Sequence, residues 1–488
     1  MTTRRVLISQ PAAAPPGQAP LKVLRDFAPR RPAALASPHR SSPRRQVVEM
    51  ADDEIEAFRH RHTDVPIEED QPLCLLGMPG LPPMVDAQAA TREVCIQVVD
   101  SNGQGVADCS IYALAAGVGY RAHTDADGLA RIVVREQALE QVIISPRHTH
   151  WSRVLTRPEQ DQWIDQLAVT LRPLMPGRDS AWIHALLGTS EFWARTGMAG
   201  AGVKVAVIDS GVDPCGGSVA VAGGFNTLDG QDPFEWWRDD KGHGTHCAGV
   251  IAGAAPTASG WFSGVAPQSA VYAVKVFPGG YVSDLVEAID WCIAHSMDIV
   301  NLSLGSPQPS PALTQALLRA HAAGVTVIAA AGNEATHIAY PASTKPVLSV
   351  GAIGRLGTYP GDSAHPLKRG RYQARTGPLF SAGFSNFGQE LEVVAPGVAI
   401  TSTVPGGFAA WDGTSMASPQ VAGVAALLLS ACPWIRTGDW RQVEHLLGGL
   451  RRGAVDIGLP TSVQGRGVPH AWRAYQAMMG YHWTRGQF

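Results

Sequence analysis

Apolar residues from position 203 onward form short continuous runs that alternate with segments of helical spacing. Continuous apolar runs are typical of strands buried on both faces, and helices between such strands imply a parallel sheet. Segments Ser283–His295 and Pro311–Ala323 fit crossover helices. The pattern therefore predicts an α/β domain with helices flanking a parallel sheet and an active site beyond the carboxyl ends of the strands. The predicted strands are Val203–Ile208, Ala270–Val276, Ile299–Leu304, Val325–Ala331 and Val347–Ala352.

Residues 92–172 show the alternating pattern of half-buried strands instead. The turn signals Asp100-Ser-Asn-Gly and Thr124–Gly128 separate these strands, and we interpret their Asp and Gly residues as turn chemistry rather than a calcium site. The segment resembles the small β-sandwiches of the carboxypeptidase-regulatory or transthyretin-like kind. Its predicted strands are Val94–Val99, Ser110–Leu114, Gly128–Val134 and Gln141–Ser145.

The first 83 residues divide into a tail, a small structured segment and a linker. Residues 1–45 hold nine Lys or Arg, one acid and repeated Pro and Ala, which is the composition of a flexible, solvated tail. The opening Thr-Arg-Arg is similar to a twin-arginine export signal, but no apolar core follows, so we expect no conventional signal peptide. Residues 46–76 predict strand, helix, strand, and the Gly- and Pro-rich Gly77–Pro83 predicts a linker.

Charge and composition exclude several classes of function. The chain of 488 residues has a formal net charge of −3, which argues against nucleic-acid binding because phosphate contacts need clustered Lys and Arg. No apolar run approaches the roughly 18–20 residues that a membrane span requires. Seven cysteines without a signal peptide favour free thiols and a cytoplasmic location, while one or two disulfides after export stay open.

Three short motifs carry the chemistry, and each lies at a predicted strand end or helix start. Peptide hydrolysis needs a nucleophile, a base that takes its proton and an acid that orients the base. Ser415 at a helix start gains the positive end of the helix near its Oγ, His243 can face it, and Asp209 can hold the imidazole tautomer. The motifs are Ile208-Asp-Ser-Gly-Val212, Gly242-His-Gly-Thr-His-Cys-Ala-Gly249 and Gly413-Thr-Ser-Met-Ala-Ser-Pro419.

These motifs resemble those of the subtilase family of serine proteases, in that family's order Asp, His, Ser. The resemblance covers residues 180–478 and implies a subtilisin-like fold with Ser415 as nucleophile, His243 as general base and acid, and Asp209 as the orienting carboxylate. The segment Ala329–Glu334 resembles the family's oxyanion segment, so Asn333 would donate to the oxyanion beside the Ser415 backbone N–H. Losing such a donor typically lowers turnover by ~10²–10³.

The resemblance also implies a cleft in which a peptide substrate adds as an extra strand between two edges of the enzyme. The pocket for the residue before the cut bond has small walls, which suits an apolar or aromatic side chain, and Glu334 at its rim could tolerate a basic one. A cis Tyr340–Pro341 bond fits the resemblance, whereas trans is the general expectation for X-Pro. The implied substrate-binding residues are Ser303, Leu304, Gly305, Gly279, Gly280, Ala330, Gly332, Glu334 and Tyr340.

Metal and cofactor requirements depart from many subtilases. A tight calcium site near the strand after the catalytic Asp looks absent, because Ser218 replaces its carboxylate and Ala254–Gly260 replaces an Asn-rich loop. Glu390 and Glu392 resemble ligands of a second, weaker cation site, but we favour a solvated charge pair. We therefore assign no metal ligands and expect no required cofactor.

Two further features are specific to this chain. Cys247, one helical turn after His243, resembles the thiol of proteinase K-like subtilases, and we favour a buried apolar role over a redox switch. Residues 355–378, with Lys368 and several Arg, look inserted. We interpret them as a long surface loop, with a partner contact or an autolysis site as functional options.

The resulting organisation is a multidomain serine endopeptidase acting on proteins or peptides. Residues 46–76 weakly resemble the end of an inhibitory prodomain, with Val6–Ser9 as its first strand, so a self-processing zymogen of restricted specificity is expected. Cleavage is expected around residues 74–83, while removal near 174–180 and no cleavage stay open. The alternative is a silent protease-fold binding module that uses the β-domain or the inserted loop. The predicted regions are 1–45, 46–83, 92–172, 180–478 and 479–488.

Overall fold

The computed structural model describes residues 3–9, 45–75, 91–115, 118–135, 139–156, 166–375 and 377–484. Of the tail predicted over 1–45, residues 10–44 lie outside the described residues, as does the predicted linker over 77–83, whereas residues 3–9 and 45 belong to strands. The prediction of strand, helix and strand over 46–76 is confirmed, and Val6–Ser9 lies within a strand. The elements of this N-terminal unit are β1 (Thr3–Ser9), β2 (Arg45–Ala51), α1 (Asp52–Arg61), β3 (Ile67–Glu69) and β4 (Cys74–Leu75).

The N-terminal unit has its own small core. β1 lies between β2 and β3, and both neighbours run antiparallel to it. The helix α1 closes one face of this sheet through Ile55 and Phe58, which pack with Val6 and Ile8. β4 leaves this sheet and pairs with the large domain instead.

The second unit is a β-sandwich of two facing sheets, with strand order β10-β9-β6-β7 in one and β11-β5-β8 in the other. Alternate residues of its strands form a separate core around Ile96, Ile111 and Ile144. The four predicted strands are present, while β7, β10 and β11 carry weaker alternation and were missed. The strands are β5 (Thr91–Val99), β6 (Ser110–Ala115), β7 (Val118–His123), β8 (Leu129–Arg135), β9 (Gln141–Ser145), β10 (Arg153–Thr156) and β11 (Gln166–Thr170).

The predicted turns of the sandwich use their carboxylates internally. Asp125 Oδ1 accepts from the backbone N–H groups of Asp127 and Leu129 at 3.0 and 2.9 Å. Asp100 Oδ1 accepts from Asn102 and Gln104 in the same way, at 2.8 Å each. Both carboxylates therefore stabilise turns, as aspartate does in such loops.

The large domain is built on a nine-stranded sheet in the order β13-β16-β12-β17-β19-β20-β22-β21, with β23 beside β20. Seven of these strands run parallel, and β22 and β21 are antiparallel additions at one edge. All five predicted parallel strands are confirmed. The sheet strands are β12 (Lys204–Asp209), β13 (Val221–Asn226), β16 (Ala270–Lys275), β17 (Ile299–Leu302), β19 (Thr326–Ala330), β20 (Leu348–Arg355), β21 (Arg369–Gln373), β22 (Leu379–Ala382) and β23 (Val393–Pro396).

Two-stranded ribbons and helices complete this domain. The ribbon strands are β14 (Ala254–Thr257), β15 (Gly260–Ser263), β18 (Leu304–Gly305), β24 (Ile400–Val404), β25 (Gly407–Trp411), β26 (Ala454–Val455) and β27 (Val468–Pro469). The helices are α2 (Pro176–Asp179), α3 (Ala181–Leu187), α4 (Thr189–Thr196), α5 (His243–Ala252), α6 (Val282–Ala294), α7 (Pro311–Ala322), α8 (Thr414–Ala431), α9 (Trp440–Gly453), α10 (Thr461–Gln464) and α11 (Ala471–Thr484).

The inserted segment 355–378 is more ordered than a surface loop. The loop prediction was wrong for residues 369–373, because β21 pairs with β22 and extends the central sheet. Before that strand, a 3-10 turn at His365–Lys368 folds back toward the domain interior. Exposed Arg369, Arg371 and Gln373 alternate with half-buried Gly370 and Tyr372 in β21, but the run is too short and too charged to indicate a strand by composition.

The central helix α8 is almost entirely buried. Its 18 residues are long and apolar enough to cross a membrane by composition, which the sequence pattern did not suggest, yet 89% of that window is buried inside the protein. The core helix of a globular domain has the same properties, so the helix does not establish a membrane span. Its small residues, such as Ala417, Ala422 and Gly423, allow close packing below the sheet.

Candidate active site

The predicted acid and base meet at the carboxyl edge of the sheet. Asp209 is the last residue of β12 and fully buried, and His243 is the first residue of α5. His243 Nδ1 lies 2.8 Å from Asp209 Oδ1 and 3.0 Å from Oδ2. Burial lowers the pKa of His243, but the adjacent Asp209 carboxylate outweighs it, so the net pKa is raised above 6.5. The geometry fixes a proton on Nδ1 and leaves Nε2 for a second partner.

A second buried carboxylate supports Asp209. The Ser210 hydroxyl lies 3.1 Å from Asp209 Oδ1 and 2.8 Å from Asp239 Oδ1, so it links the two acids. Asp239 also accepts from the backbone N–H groups of Gly242 and Thr245 at 2.9 Å each, which fixes the loop before His243. Burial raises the pKa of Asp239, and the nearby Asp209 charge adds to the increase. Sequence reasoning missed Ser210 and Asp239, although both lie within or beside the motifs.

Ser415 is the second residue of α8 and is fully buried. Its hydroxyl donates to the Ser303 carbonyl oxygen at 3.3 Å. Pro419, four residues further on, has no N–H, so the Ser415 carbonyl receives no bond from the helical ladder. That carbonyl instead accepts from the Ser303 hydroxyl at 3.0 Å and the Cys247 thiol at 3.4 Å. The helix start is thus tied to the strand end that borders the cleft.

Asn333 is oriented by the residue before Ser415. Its side-chain Oδ1 accepts from the Thr414 backbone N–H and hydroxyl, at 2.9 Å each. With Oδ1 engaged, Nδ2 lies on the other side of the amide. A side-chain carbon at Gly413 would lie 3.5 Å from Asn333 Nδ2 and 3.6 Å from the Ser415 backbone nitrogen. Both nitrogens therefore border one small space beside Gly413.

The predicted cleft holds a segment of the same chain. β4 pairs antiparallel with β18, with Leu75 opposite Leu304 and Cys74 opposite Gly305. On the other side, the Leu73 N–H donates to the Gly280 carbonyl at 2.9 Å. The two edges predicted for peptide binding thus flank residues 73–75. An extended peptide between two strands is the geometry of strand addition.

The residues predicted to line the substrate pocket differ in burial and in their hydrogen-bond partners. Ala330 ends β19 and is buried, while Gly332 has a φ of +109° and leaves no room for a side chain beside Asn386. Glu334 Oε2 accepts from the Asn333 N–H and from Asn386 Nδ2, at 2.8 and 2.9 Å. The Tyr340 hydroxyl donates to the Ser310 carbonyl at 2.9 Å at the start of α7. The Tyr340–Pro341 bond is cis.

Cys247 lies directly beneath the acid and base. It is fully buried, and burial raises the pKa of its thiol well above 9.0. The potential metal-ligand atoms of Asp209, His243 and Cys247 lie within 4.8 Å of one another, the one such group within the described ranges. A soft metal ion could bind there only by displacing the His243–Asp209 hydrogen bond.

The two regions considered for calcium contain other interactions. At the first, the Ala254 N–H donates to the Ser218 carbonyl at 2.8 Å, and Ala254–Thr257 forms a ribbon with β15. At the second, Glu392 accepts from Arg451 Nε and Nη2 at 2.9 and 3.0 Å. The Arg451 guanidinium supplies the positive charge beside Glu392, and Glu390 is exposed.

Comparison with known proteins agrees with this geometry. The model described as "Subtilase family" matches residues 200–449, just over half of the chain. Subtilisin from Bacillus pumilus is 42% identical over 247 residues, covering 49% of this chain and 80% of the relative. Subtilisin NAT from Bacillus subtilis subsp. natto is 40% identical over 247 residues, which cover 49% of this chain but only 58% of that relative. Subtilisin BL from Lederbergia lenta is 37% identical over 280 residues, covering 56% of this chain and 91% of the relative.

Proposed function

The chain belongs to the subtilase family and is a serine endopeptidase, and we propose that Asp209, His243, Ser415 and Asn333 carry its chemistry. The bond between His243 Nδ1 and Asp209 Oδ1 supports this assignment most directly. It holds the imidazole with Nε2 available to take the Ser415 proton. The Ser415 oxygen then attacks the substrate carbonyl carbon, and the peptide nitrogen leaves with the proton that His243 returns.

The developing oxyanion is stabilised in the space beside Gly413. Asn333 Nδ2 and the Ser415 N–H border that space and donate to the negative oxygen. Collapse of the intermediate gives an acyl-enzyme on Ser415, which water hydrolyses with His243 as the base.

A serine-directed fluorophosphonate probe tests the assignment. The expected result is labelling of the wild type after processing and none of the Ser415→Ala variant. The alternative function, a binding module without turnover, predicts no labelling of any processed form. Asn333→Ala serves as a graded control, because Ser415 should still react, only more slowly.

Self-processing is the second part of the proposal. The observed pairing of Leu75 with Leu304 places the end of β4 one residue from Ser303, whose carbonyl accepts the Ser415 hydroxyl at 3.3 Å. If the chain kept this register beyond Leu75, the bond between Leu76 and Gly77 would be the one cut by Ser415, and we propose it as the cleavage site within the expected range 74–83. The N-terminal unit acts as an inhibitor that remains bound through its C-terminal strand after the cut.

Two carboxylates of the N-terminal unit support this inhibitory role. Asp70 Oδ1 accepts from the Ser283 N–H at the start of α6 at 2.9 Å. Glu68 Oε1 accepts from the Ala312 N–H at the start of α7, also at 2.9 Å. Both helix starts carry unpaired N–H groups and positive partial charge, so each carboxylate is well placed. The unit is thus held by the cleft and by both crossover helices.

Restricted specificity is supported by the side chains of the bound segment. Leu73 is buried and Leu75 half-buried, whereas Cys74 between them is exposed. We propose that good substrates carry apolar residues four and two positions before the cut bond. Quenched peptides containing Pro-Leu-Cys-Leu-Leu-Gly test this. Replacing the first Leu by Asp should lower kcat/KM strongly, replacing Cys by Asp should change it little, and equal rates would contradict the proposal.

A further inference from the structure

A buried histidine from the inserted segment reaches the loop that carries the nucleophile. His365 Nδ1 lies 2.7 Å from Asp412 Oδ1, and the two side chains are only 4% and 3% exposed. Asp412 precedes Ser415 by three residues. None of the proposed chemical steps uses this pair, and burying two ionisable groups is costly unless they are paired and hydrogen-bonded, as these two are.

Asp412 fastens the nucleophile loop to the neighbouring strand connection. Its Oδ1 also accepts from the Ala399 N–H at 2.7 Å, and Ala399 has a left-handed φ of +58°. One residue further, the Gly413 N–H donates to the Gly397 carbonyl at 2.8 Å. These bonds set the position of the peptide units from 412 to 415, which include one oxyanion donor and the nucleophile. Burial raises the pKa of Asp412, but His365 and the Ala399 N–H outweigh it, so the pKa is lowered.

The β-sandwich holds the other side of the histidine. The Trp151 ring contacts His365 edge-on, with ring centroids 5.5 Å apart. The Ala364 N–H donates to the Ser152 hydroxyl at 3.0 Å, immediately before His365 in the chain. Three residues before His365, Asp362 forms ion pairs with Arg153 and Arg172 of the sandwich, at 2.9 and 3.0 Å.

A second connection leads from the sandwich to the same loop. The Thr149 N–H donates to the Phe408 carbonyl at 2.7 Å, in the strand β25. β25 ends at Trp411, directly before Asp412. The sandwich therefore contacts the segments that hold residues 412–415 at two places, one on the inserted segment and one on β25.

We propose that His365 is a positioning residue for Ser415. His365 acts through Asp412 and is itself held in place by the docked β-sandwich. On this inference, which rests on the proposed function, the β-sandwich is a permanent part of the active enzyme. It is not removed with the inhibitory unit. The inserted segment supplies the intramolecular contact, and its partner is the sandwich of the same chain.

Steady-state kinetics of the processed full-length enzyme test the proposal. His365→Phe keeps an aromatic ring against Trp151 but removes the donor to Asp412. We expect kcat per labelled active site to fall about 10- to 100-fold, as for a small misplacement of reacting groups, with KM within about twofold. His365→Asn, whose amide can donate in place of Nδ1, should recover most of the activity. Asp412→Asn added to His365→Phe should cause little further loss, because both act through one contact.

A matched control separates position from stability. His184→Phe removes a half-buried histidine whose ring nitrogens bond to the Thr189 hydroxyl and the Ser263 carbonyl rather than to Asp412. It should lower the melting temperature without changing kcat per active site. If His365→Phe behaves like this control, the proposal is overturned.

Asp362→Asn covers the case in which His365→Phe does not fold. Asp362 is partly exposed, with 29% of its side chain accessible, so its substitution is compatible with folding. Loosening the sandwich there should lower kcat about threefold or more, and an unchanged kcat overturns the proposal. Fluorophosphonate labelling of the wild type is measured in parallel. Its failure would refute the proposed function itself, whatever the His365 variants show.

Discussion

Leu75 lies opposite Leu304 in an antiparallel bridge along one wall of the substrate cleft. A shift of one residue in this register would turn every side chain of the segment to the other face. Under the proposed self-processing, this register selects the peptide bond that is cut, and the inhibitor and the first substrate are the same strand.

The first prediction concerns the site of self-cleavage. The wild-type chain should yield a product that begins at Gly77, and Ser415→Ala should remain intact, as measured by intact mass and N-terminal sequencing. Leu76→Asp should slow the cut, since it places a charge in a pocket with apolar walls. A product that begins near residues 174–180 would contradict the register and the retention of the β-sandwich.

The second prediction concerns the oxyanion site. Asn333→Ala should lower kcat by roughly 10²–10³ with little change in KM, because the lost donor acts mainly in the transition state. Kinetics with a short peptide substrate measure both constants. The melting temperature serves as the control for loss of the Thr414 contacts, and a change confined to KM would argue for a substrate-binding role instead.

The third prediction is the pH dependence of catalysis. Because the Asp209 charge raises the pKa of His243 above 6.5, the base stays protonated to a higher pH than a free imidazole. The pH profile of kcat/KM should therefore rise through that pKa as pH increases. Asp209→Asn should move this rise in kcat/KM to lower pH and reduce kcat by roughly 10⁴. An unshifted rise in this variant would assign the titration to another group.

The fourth prediction is the pH dependence of inhibitor release. Burial raises the pKa of Asp284 to about 7; the Asp70 charge of the bound unit adds to the increase, and the Arg5 charge of the same unit opposes it more weakly. Burial also raises the pKa of Glu68. When the N-terminal unit separates, Asp284 and Glu68 both lose part of this increase in pKa. The complex therefore binds more protons than the separated N-terminal unit and enzyme. Its stability is fully present at low pH and is lost as pH rises through about 7.

Dissociation of the cleaved N-terminal unit measures this effect directly. Release followed by size exclusion should be more complete at pH 8 than at pH 6. Asp284→Asn, which cannot ionise, should flatten the dependence. Release that instead increases toward acid would reverse the sign and exclude this pair of carboxylates as the cause.

The fifth prediction concerns Cys247. A small mercurial should inhibit, because a metal on the Sγ competes for the space between Asp209 and His243. The buried thiol has a raised pKa, so the reaction should be slow. Cys247→Ser should keep activity and lose the sensitivity. Inhibition of that variant to the same extent would place the target at another of the seven cysteines.

The sequence predicts what is encoded locally. Asp209, His243, Ser415 and Asn333 each lie in a short motif at a strand end or helix start, and the apolar runs around them indicate parallel strands. The β-sandwich strands were predicted where alternation was strong. Short β10 and β11 were not, since their identity depends on pairing with β9 and β5.

Contacts between distant segments could not be predicted in the same way. His365 and Asp412 are separated by 47 positions, and the inserted segment offers no motif that links them. The same holds for Glu392, where the charge pattern suggested a cation site or a solvated pair. Its partner Arg451 is 59 positions away on α9. Side-chain identity limits such pairs, but only the packing of the sheet and helices selects among them.

The antiparallel edge strand β21 has a consequence for how this enzyme meets other polypeptides. A protein that recognises extended chains by strand addition is exposed to unwanted pairing wherever a sheet ends in open N–H and C=O groups. β21 is short and presents exposed Arg369 and Arg371 at that margin. Charged side chains on a short outer strand discourage pairing with the edge of a second sheet. Aggregation through this edge is thereby opposed, and strand addition is directed to the cleft.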